Sequence, residues 1–400
     1  MKFENVFIPY GGYWSSPFSK WQGSLGHLHS MVFAADMAKN FLTGKNIAPD
    51  IFDGVTFGIT IPQKSSFYGT PWLAGMIGAV DITGPTISQA CATSVKVMVS
   101  SALEIETGLH NNIIAITADK TSNSPHIYYP NPMGIGGIGD KEDWVLDNFG
   151  RDPFARNAMI QTAENVAKAE NISKTEQDDM ALLRYEQYSE ATKDNHAFQK
   201  KYMILPLEVK DARGKKVIKT LEGDEGIFPT TKEGLAKLPP VMKDGSVSFG
   251  SQTFPADGNC GIIITTRENA QNISNDKGIK IQLISFGEAR VPAGFMPKAV
   301  VPAAEKALSE AGKTIDDITA IKTHNPFAIN DVYFTRKFNV KPEAMNNYGS
   351  PLIYGHPQAP TGTRAILELI EELVIKGGGY GLFSGCAAGD TAAAIVLKVN

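Results

Sequence analysis

Cysteine is scarce in this chain: three among 400 residues, Cys91, Cys260 and Cys386. Three widely spaced thiols argue against a disulfide framework, and the absence of a CxxC pair leaves no zinc pattern, so no metal is expected. No apolar run is long enough to span a bilayer. Neither sign of charge dominates. Lys and Arg number 38 against 42 Asp and Glu, a net −4, which gives no electrostatic reason to expect nucleic acid or a membrane surface as partner. No GxxxxGK[ST] loop is present to cradle phosphates. The opening MKFENVFIPYGGYW lacks a signal-peptide pattern, and the closing AAIVLKVN carries no address signal. A cytoplasmic globular chain is expected, long enough for two domains or one large duplicated one.

What is present centres on ISQACATSVKVMVSSALEIETG, residues 87–108. Val95, Met98, Val99, Ala102 and Leu103 recur at helical spacing, predicting a buried helical stripe. Gly108 follows as its C-cap, and Thr93 and Ser94 stand where N-capping side chains belong. Cys91 therefore falls at or just before the first turn. Free N–H groups and the helix dipole there are expected to lower its pKa and make it nucleophilic.

Helix and strand periodicity alternate along most of the chain, predicting α/β layers with buried sheets. A weak internal repeat is visible. Residues 31–60 and 300–325 both read as an Ala-rich amphipathic helix, a Gly-Lys turn, an acidic cluster and a β-branched strand. Further on, the Cys91 helix and the strand NNIIAITAD parallel PLIYGHPQAPTGTR, a helix with stripe Ile366, Leu369, Ile370 and Leu373 ending at Gly377, and the strand YGLFSGC. Under this superposition Cys91 and His356 occupy equivalent places before a helix, and a pseudo-twofold axis would bring them together. Residues 121–245 interrupt the pattern. They hold the Gly-, Pro- and Tyr-rich HIYYPNPMGIGGIGD, a capping box at Ser173 and Glu176, and the basic KDARGKKVIK. The expected division is residues 1–120 plus 246–270 as a first half, 121–245 as an inserted lid or binding subdomain, and 271–400 as a second half.

Three more segments carry chemistry: GHPQAPTGTR with His356, HNPFAIND with His324 at a strand end, and SGCAAGDTAAAIVLKV with Cys386 after a strand. Together with Cys91 they read as a Cys/His/Cys acyl-transfer site. The chain resembles the thiolase family over almost its full length. Besides the Cys91 segment, GSPLIYGHPQAPTGTR is similar to the family's GGAIALGHPxGASGAR, and GYGLFSGCAAGD stands where the family has its glycine-rich cysteine loop. TAENVAKAENISKTEQDDMAL and DEGIFPTTKEGLAKLPPVMKDGSVSFG resemble the segments entering and leaving its loop domain.

The resemblance implies a duplicated five-layer αβαβα core with an inserted loop domain that binds acyl-CoA. It implies either thiolysis of a 3-oxoacyl-CoA or the reverse Claisen condensation, with coenzyme A as substrate or product and no permanently bound cofactor. Cys91 would be acylated and His356 would take its proton. Cys386 would act as acid and base at carbon. One oxyanion site would use the backbone N–H groups of Cys91 and Ala388, the other the His356 ring with a neighbour from HNPF, where His324 and Phe327 stand. Thr253 matches a CoA-contacting serine, and Met159 and Met296 match pocket methionines. The commoner NEAF is HNPF here, so His324 replaces an asparagine. A Cys-His-His condensing synthase is therefore a second reading, and a non-catalytic acyl-CoA-binding scaffold subunit a third. Phe228 replaces an arginine common in the family. Lys210, Lys215 and Lys216 are the candidate CoA phosphate contacts. The resemblance also implies a homodimer or homotetramer and, because some relatives with the histidine variant work beside a small OB-fold, zinc-binding partner, leaves room for such a partner chain. Cys260, His27, His29, His110, His126 and His196 read as structural.

Overall fold

The computed structural model describes residues 1–400. In chain order the core strands are β1 (Phe7–Ile8), β2 (Gly54–Gly58), β3 (Thr86–Ile87), β4 (Asn112–Lys120), β5 (Ala256–Thr265), β6 (Ile281–Arg290), β7 (Ile318–His324), β8 (Gly379–Ala387) and β9 (Thr391–Val399). The main helices are α1 (Ser30–Gly44), α2 (Gly69–Ile77), α3 (Thr93–Glu106), α4 (Met159–Glu170), α5 (Lys174–Thr192), α6 (Val300–Ala311), α7 (Ala328–Phe338) and α8 (Ala359–Ile375).

The two halves repeat one sheet pattern. In the first, β2 runs parallel to β4, which pairs antiparallel with β5. In the second, β7 runs parallel to β8, which pairs antiparallel with β9. Residue pattern explains the burial. β5 and β9 are buried along nearly their whole length, with the runs 262–264 and 392–397 apolar, as strands covered on both faces require. The short β1 pairs with β5 on one side and β6 on the other, joining both half-sheets into one ladder ordered β7-β8-β9-β6-β1-β5-β4-β2-β3.

Helices complete the layers. α1 packs on β4 and β5 and α2 on β2, while α6 covers β6, β8 and β9. Between the half-sheets, α3 and α8 pack against each other. Their predicted stripes meet in one core: Val95, Met98, Val99 and Ala102 from α3, and Ile366, Leu369, Ile370 and Leu373 from α8. Burying each large aliphatic side chain stabilises the fold by about 1.5–3 kcal/mol. Gly362 lets the helices approach, since a Cβ there would stand 3.0 Å from the Ser94 Cβ. Both predicted helix ends hold, with Gly108 and Gly377 at φ 73° and 81°.

Between β4 and β5 lie two hairpins, His126–Tyr129 with Asp140–Asp143 and Leu207–Lys210 with Val217–Leu221, together with α4 and α5. The capping box at the start of α5 forms as read, with Ser173 and Glu176 satisfying each other's backbone N–H groups. The proposed cap of α3 does not. Ala92 is its N-cap, and no side chain caps it. Thr93 instead accepts from Gln89 N at 2.8 Å and donates to Ala90 O at 2.7 Å, tying the turn ahead of the helix. Ser94 donates to Ala359 O at the start of α8. Both hydroxyls thus fasten the place where the two helices meet.

Candidate active site

The N-termini of α3 and α8 converge at the floor of a cavity of about 1260 Å³. Ala90 has φ 43°, so the chain turns sharply before α3 and projects Cys91 into this space. Gly355, at φ 92°, makes the corresponding bend before His356, where a Cβ would meet Phe254 and Ala256 at 2.7 and 2.9 Å. The His356 backbone is held against the loop ahead of β5, its N–H donating to Phe254 O at 2.9 Å.

Cys91 Sγ lies 3.1 Å from His356 Nε2 and 3.2 Å from Gln358 Oε1. The other nitrogen of His356, Nδ1, is 2.6 Å from Thr361 Oγ1. With Nδ1–H donating to that hydroxyl, Nε2 is free to accept the thiol proton. The backbone N–H groups of Ala388 and of Cys91 itself both hydrogen-bond toward the sulphur. Ala388 follows β8 in a turn closed by Gly389 and Asp390, whose φ values are 81° and 60°.

His324 ends β7, with its ring centroid 4.2 Å from that of His356. One atom each from Cys91, His324 and His356 lie within 4.8 Å of one another. Both ring nitrogens of His324 are buried without a partner in the protein. Its neighbours, in contrast, are locked. Thr323 Oγ1 and Asn325 Nδ2 bind Asp331 at 2.6 and 2.7 Å, and Asp331 pairs with buried Arg184 at 2.8 Å. The backbone is thus fixed while the imidazole keeps its hydrogen-bonding capacity. Cys386 is fully buried on β8, with Asn330 Nδ2 donating to its sulphur at 3.2 Å.

Electrostatics correct one expectation. Cys91 is not a low-pKa thiol at rest. Burial pushes it up to about 12, against the opposing pull of the two N–H groups, and nearby Asp119 adds to the rise. Burial also takes His356 down to about 3 and holds His324 well below the usual imidazole range. Cys386 is raised by burial first and then by Cys91. The resting pair is therefore a neutral thiol against a neutral imidazole. The helix terminus does supply N–H donors, but loss of water outweighs them.

The predicted pocket residues divide. Thr253, Phe327, Met159 and Met296 all line the cavity, although the Thr253 hydroxyl donates to Pro351 O at 2.5 Å. His324 and Cys386 lie behind its surface, since neither is a lining residue. Lys210, Lys215 and Lys216 sit exposed on the Leu207–Leu221 hairpin and do not line it, so they are poorly placed as phosphate contacts. Arg290 is the one Lys or Arg side chain in the lining, and Trp144, Phe149, Phe154, Phe228 and Phe249 make the walls largely aromatic. Sequence reasoning passed over Gln358, Thr361, Asn330 and Asp119. The first two flank His356 within a motif already noted, but their spacing does not reveal which side chains face the thiol.

A duplicated core that sets Cys91 and His356 in the wall of one apolar cavity, with His324 and Cys386 directly behind them, is the frame of an acyltransferase. The chain belongs to the thiolase family: residues 14–268 match its "Thiolase, N-terminal domain" and residues 278–399 its "Thiolase, C-terminal domain". It is 28% identical to beta-ketothiolase BktB of Cupriavidus necator, over 94% of this chain and 95% of that protein. It is 27% identical to human mitochondrial 3-ketoacyl-CoA thiolase, over 96% of each. The crystal structure of that human enzyme in complex with CoA superposes with a TM-score of 0.90 at 25% identity, covering 100% of this chain and 99% of that one. The Bacillus anthracis acetyl-CoA acetyltransferase shares the fold, with a TM-score of 0.90 at 24% identity and full coverage of both chains.

Proposed function

We propose that the protein transfers acyl groups between coenzyme A thioesters through an acyl-Cys91 intermediate, cleaving a 3-oxoacyl-CoA with CoA or running the reverse Claisen condensation. The observation that carries this is the 3.1 Å approach of Cys91 Sγ to His356 Nε2 on the floor of a cavity large enough for an extended thioester. As Sγ attacks the 3-oxo carbon, its proton goes to His356. The carbonyl oxygen gains charge opposite the N–H groups of Cys91 and Ala388, and such preorganised donors supply much of the barrier reduction in acyl transfer. The carbon–carbon bond then breaks, and the leaving enolate takes a proton from Cys386. Burial keeps the Cys386 thiol protonated at rest, so a proton is at hand when the carbanion forms. His324, with no protein partner, is a donor for the enolate oxygen. CoA then attacks the acyl thioester, its thiol proton passing to the Cys386 thiolate, and Cys91 leaves and takes back its proton from His356.

The segment 121–245 provides much of the aromatic wall and serves as the acyl-CoA-binding insertion between a first half (1–120 and 246–270) and a second half (271–400). A homodimer, or a tetramer built from it, is the proposed assembly, and a reducing compartment such as the cytoplasm suits its three free thiols. No helix is long and apolar enough to cross a membrane.

A second reading is favoured by the closeness of His324 to His356: a condensing synthase that uses Cys91 with both histidines. Incubation with acetoacetyl-CoA and CoA separates the two. Loss of the 3-oxoacyl thioester with formation of acetyl-CoA supports the thiolase reading, whereas condensation without thiolysis supports the synthase.

A further inference from the structure

Gln358 stands apart from the groups already given roles. Its backbone is at φ 65°, ψ −102°, a positive-φ conformation that L residues rarely adopt. Such strain persists only where the surroundings hold it, and it clusters at functional positions. Here the surroundings are specific. The next N–H, of Ala359, donates to buried Asp119 at 2.8 Å, and Asp119 also accepts from Thr60 N and Ile61 N at 2.9 Å. On the other side, Thr361 N reaches Gln358 O at 3.2 Å. The result is a side chain only 6% exposed that lines the cavity and brings its carboxamide within 3.2 Å of the Cys91 sulphur. No hydrogen bond joins the Gln358 Nε2 to the rest of the protein, so one end of the amide meets the thiol and the other is left to the cavity.

We propose that the Gln358 carboxamide is a further catalytic residue, which accepts the Cys91 S–H at rest and, after rotation of the amide, donates N–H to the sulphur as its proton passes to His356. The inference rests on Cys91 being the nucleophile. The chemistry follows from the amide's two ends. Its oxygen can only accept and its NH2 can only donate, while the two are nearly equal in size. With oxygen toward sulphur, the thiol is stabilised and its proton is directed away from Nε2. With NH2 toward sulphur, the developing thiolate gains a third N–H donor beside those of Cys91 and Ala388. A half-turn of the terminal amide exchanges these states without moving the strained backbone. Gln358 thus favours the thiol before substrate arrives and the anion during transfer. This fits a nucleophile whose resting pKa is raised while its reaction needs the charged form.

The test is the pH profile of Cys91 alkylation by iodoacetamide in the intact protein without substrate, read by mass spectrometry of the Cys91 peptide. This measurement does not depend on thiolase turnover, so its outcome is independent of which reaction the enzyme catalyses. The other titratable groups facing the sulphur are His356, His324, Cys386 and Asp119, and all remain in each variant. Gln358→Leu, which removes both polar ends while keeping a side chain of similar bulk, should slow alkylation at pH 8 about tenfold, the loss expected for one hydrogen bond to a charged group, and move the profile to higher pH. Gln358→Glu, which keeps the acceptor, loses the donor and adds negative charge, should be slower still. Gln358→Asn, which accepts positive φ readily but is one methylene short of the sulphur, should behave like the leucine variant and serves if that variant does not fold. Alkylation by the leucine or asparagine variant within twofold of wild type at every pH would overturn the proposal. So would a glutamate variant no slower than the leucine one.

Discussion

At the scale of single residues, two opposed effects act on Cys91. Its place before α3 brings N–H donors to the sulphur, while enclosure by protein removes the water that would stabilise a thiolate. The sequence displays the first effect, because helix periodicity locates the N-terminus. It does not display the second, because burial of the sulphur depends on Gln358, His356 and the Ala388 turn, which are distant in sequence. The same distance hid Asn330, which holds Cys386 from a helix that the motif HNPF only introduces. His356 and His324 should separate experimentally. His356→Ala should abolish turnover and slow alkylation of Cys91. His324→Ala should keep alkylation near wild type and lower kcat by ~100- to 1000-fold, the usual loss for one oxyanion donor, while His324→Asn, which puts an N–H donor back, should keep alkylation and retain part of the turnover. Steady-state kinetics with iodoacetamide labelling checks both, and the reverse pattern would exchange the roles.

Burial of His356 also makes stability depend on pH. The unfolded chain binds a proton there near 6.5, whereas the folded chain refuses it down to about 3. The unfolded state therefore holds more protons in that window, so this residue's contribution to stability is full above 6.5 and is lost as pH falls toward 3. Asp119 acts oppositely, since burial raises it from 3.8 to about 7, and its contribution fades as pH rises through that range. Comparing wild type with His356→Asn cancels Asp119, which is present in both. From pH 6 to pH 4 the stability of His356→Asn relative to wild type should rise by ~1.4 kcal/mol per pH unit, measured by urea unfolding. Parallel pH curves would contradict the assigned burial.

At the scale of elements, α8 joins the site to the inserted region. Its first turn carries Gln358 and Thr361 beside His356, and its next turns carry Arg364 and Glu368, both fully buried. Arg364 makes a bidentate pair with Asp224 at 2.6 and 2.7 Å and reaches Glu368 at 3.2 Å. Tyr188 and Tyr202 complete the network on Asp224 and Glu368, each at 2.9 Å. The helix stripe and its glycine end were legible, since they follow from local spacing. The network was not, because Asp224 lies 140 residues from Arg364 and nothing in DEGIF marks a buried carboxylate. Removing one member of a buried ion pair strands the other. Arg364→Leu should therefore cost about 3–5 kcal/mol in urea unfolding. A cost under about 1 kcal/mol would show that the pair is not buried as described.

At the scale of the whole molecule, duplication does most of the positioning. Two copies of one strand-helix pattern, stacked through α3 and α8, bring Cys91 and His356 together although they are 265 residues apart. The repeat in the sequence was enough to anticipate this meeting. It could not anticipate that β1 would tie both half-sheets into one ladder, because a two-residue strand leaves no periodicity. Nor did the basic run at Lys215 and Lys216 indicate that its hairpin lies away from the cavity. At the opposite end of the ladder from β7, β3 is an edge with one neighbour, β2. Such edges invite pairing with another chain, so sedimentation at micromolar concentration should give at least a dimer, and a monomer would remove the proposed assembly. The acyl-enzyme on Cys91 is the step on which the whole mechanism rests. Mass spectrometry of protein quenched soon after mixing with acetoacetyl-CoA should find an acetyl group on the Cys91 peptide. Acetylation confined to Cys386, or no acylated peptide in a preparation that turns the substrate over, would contradict it.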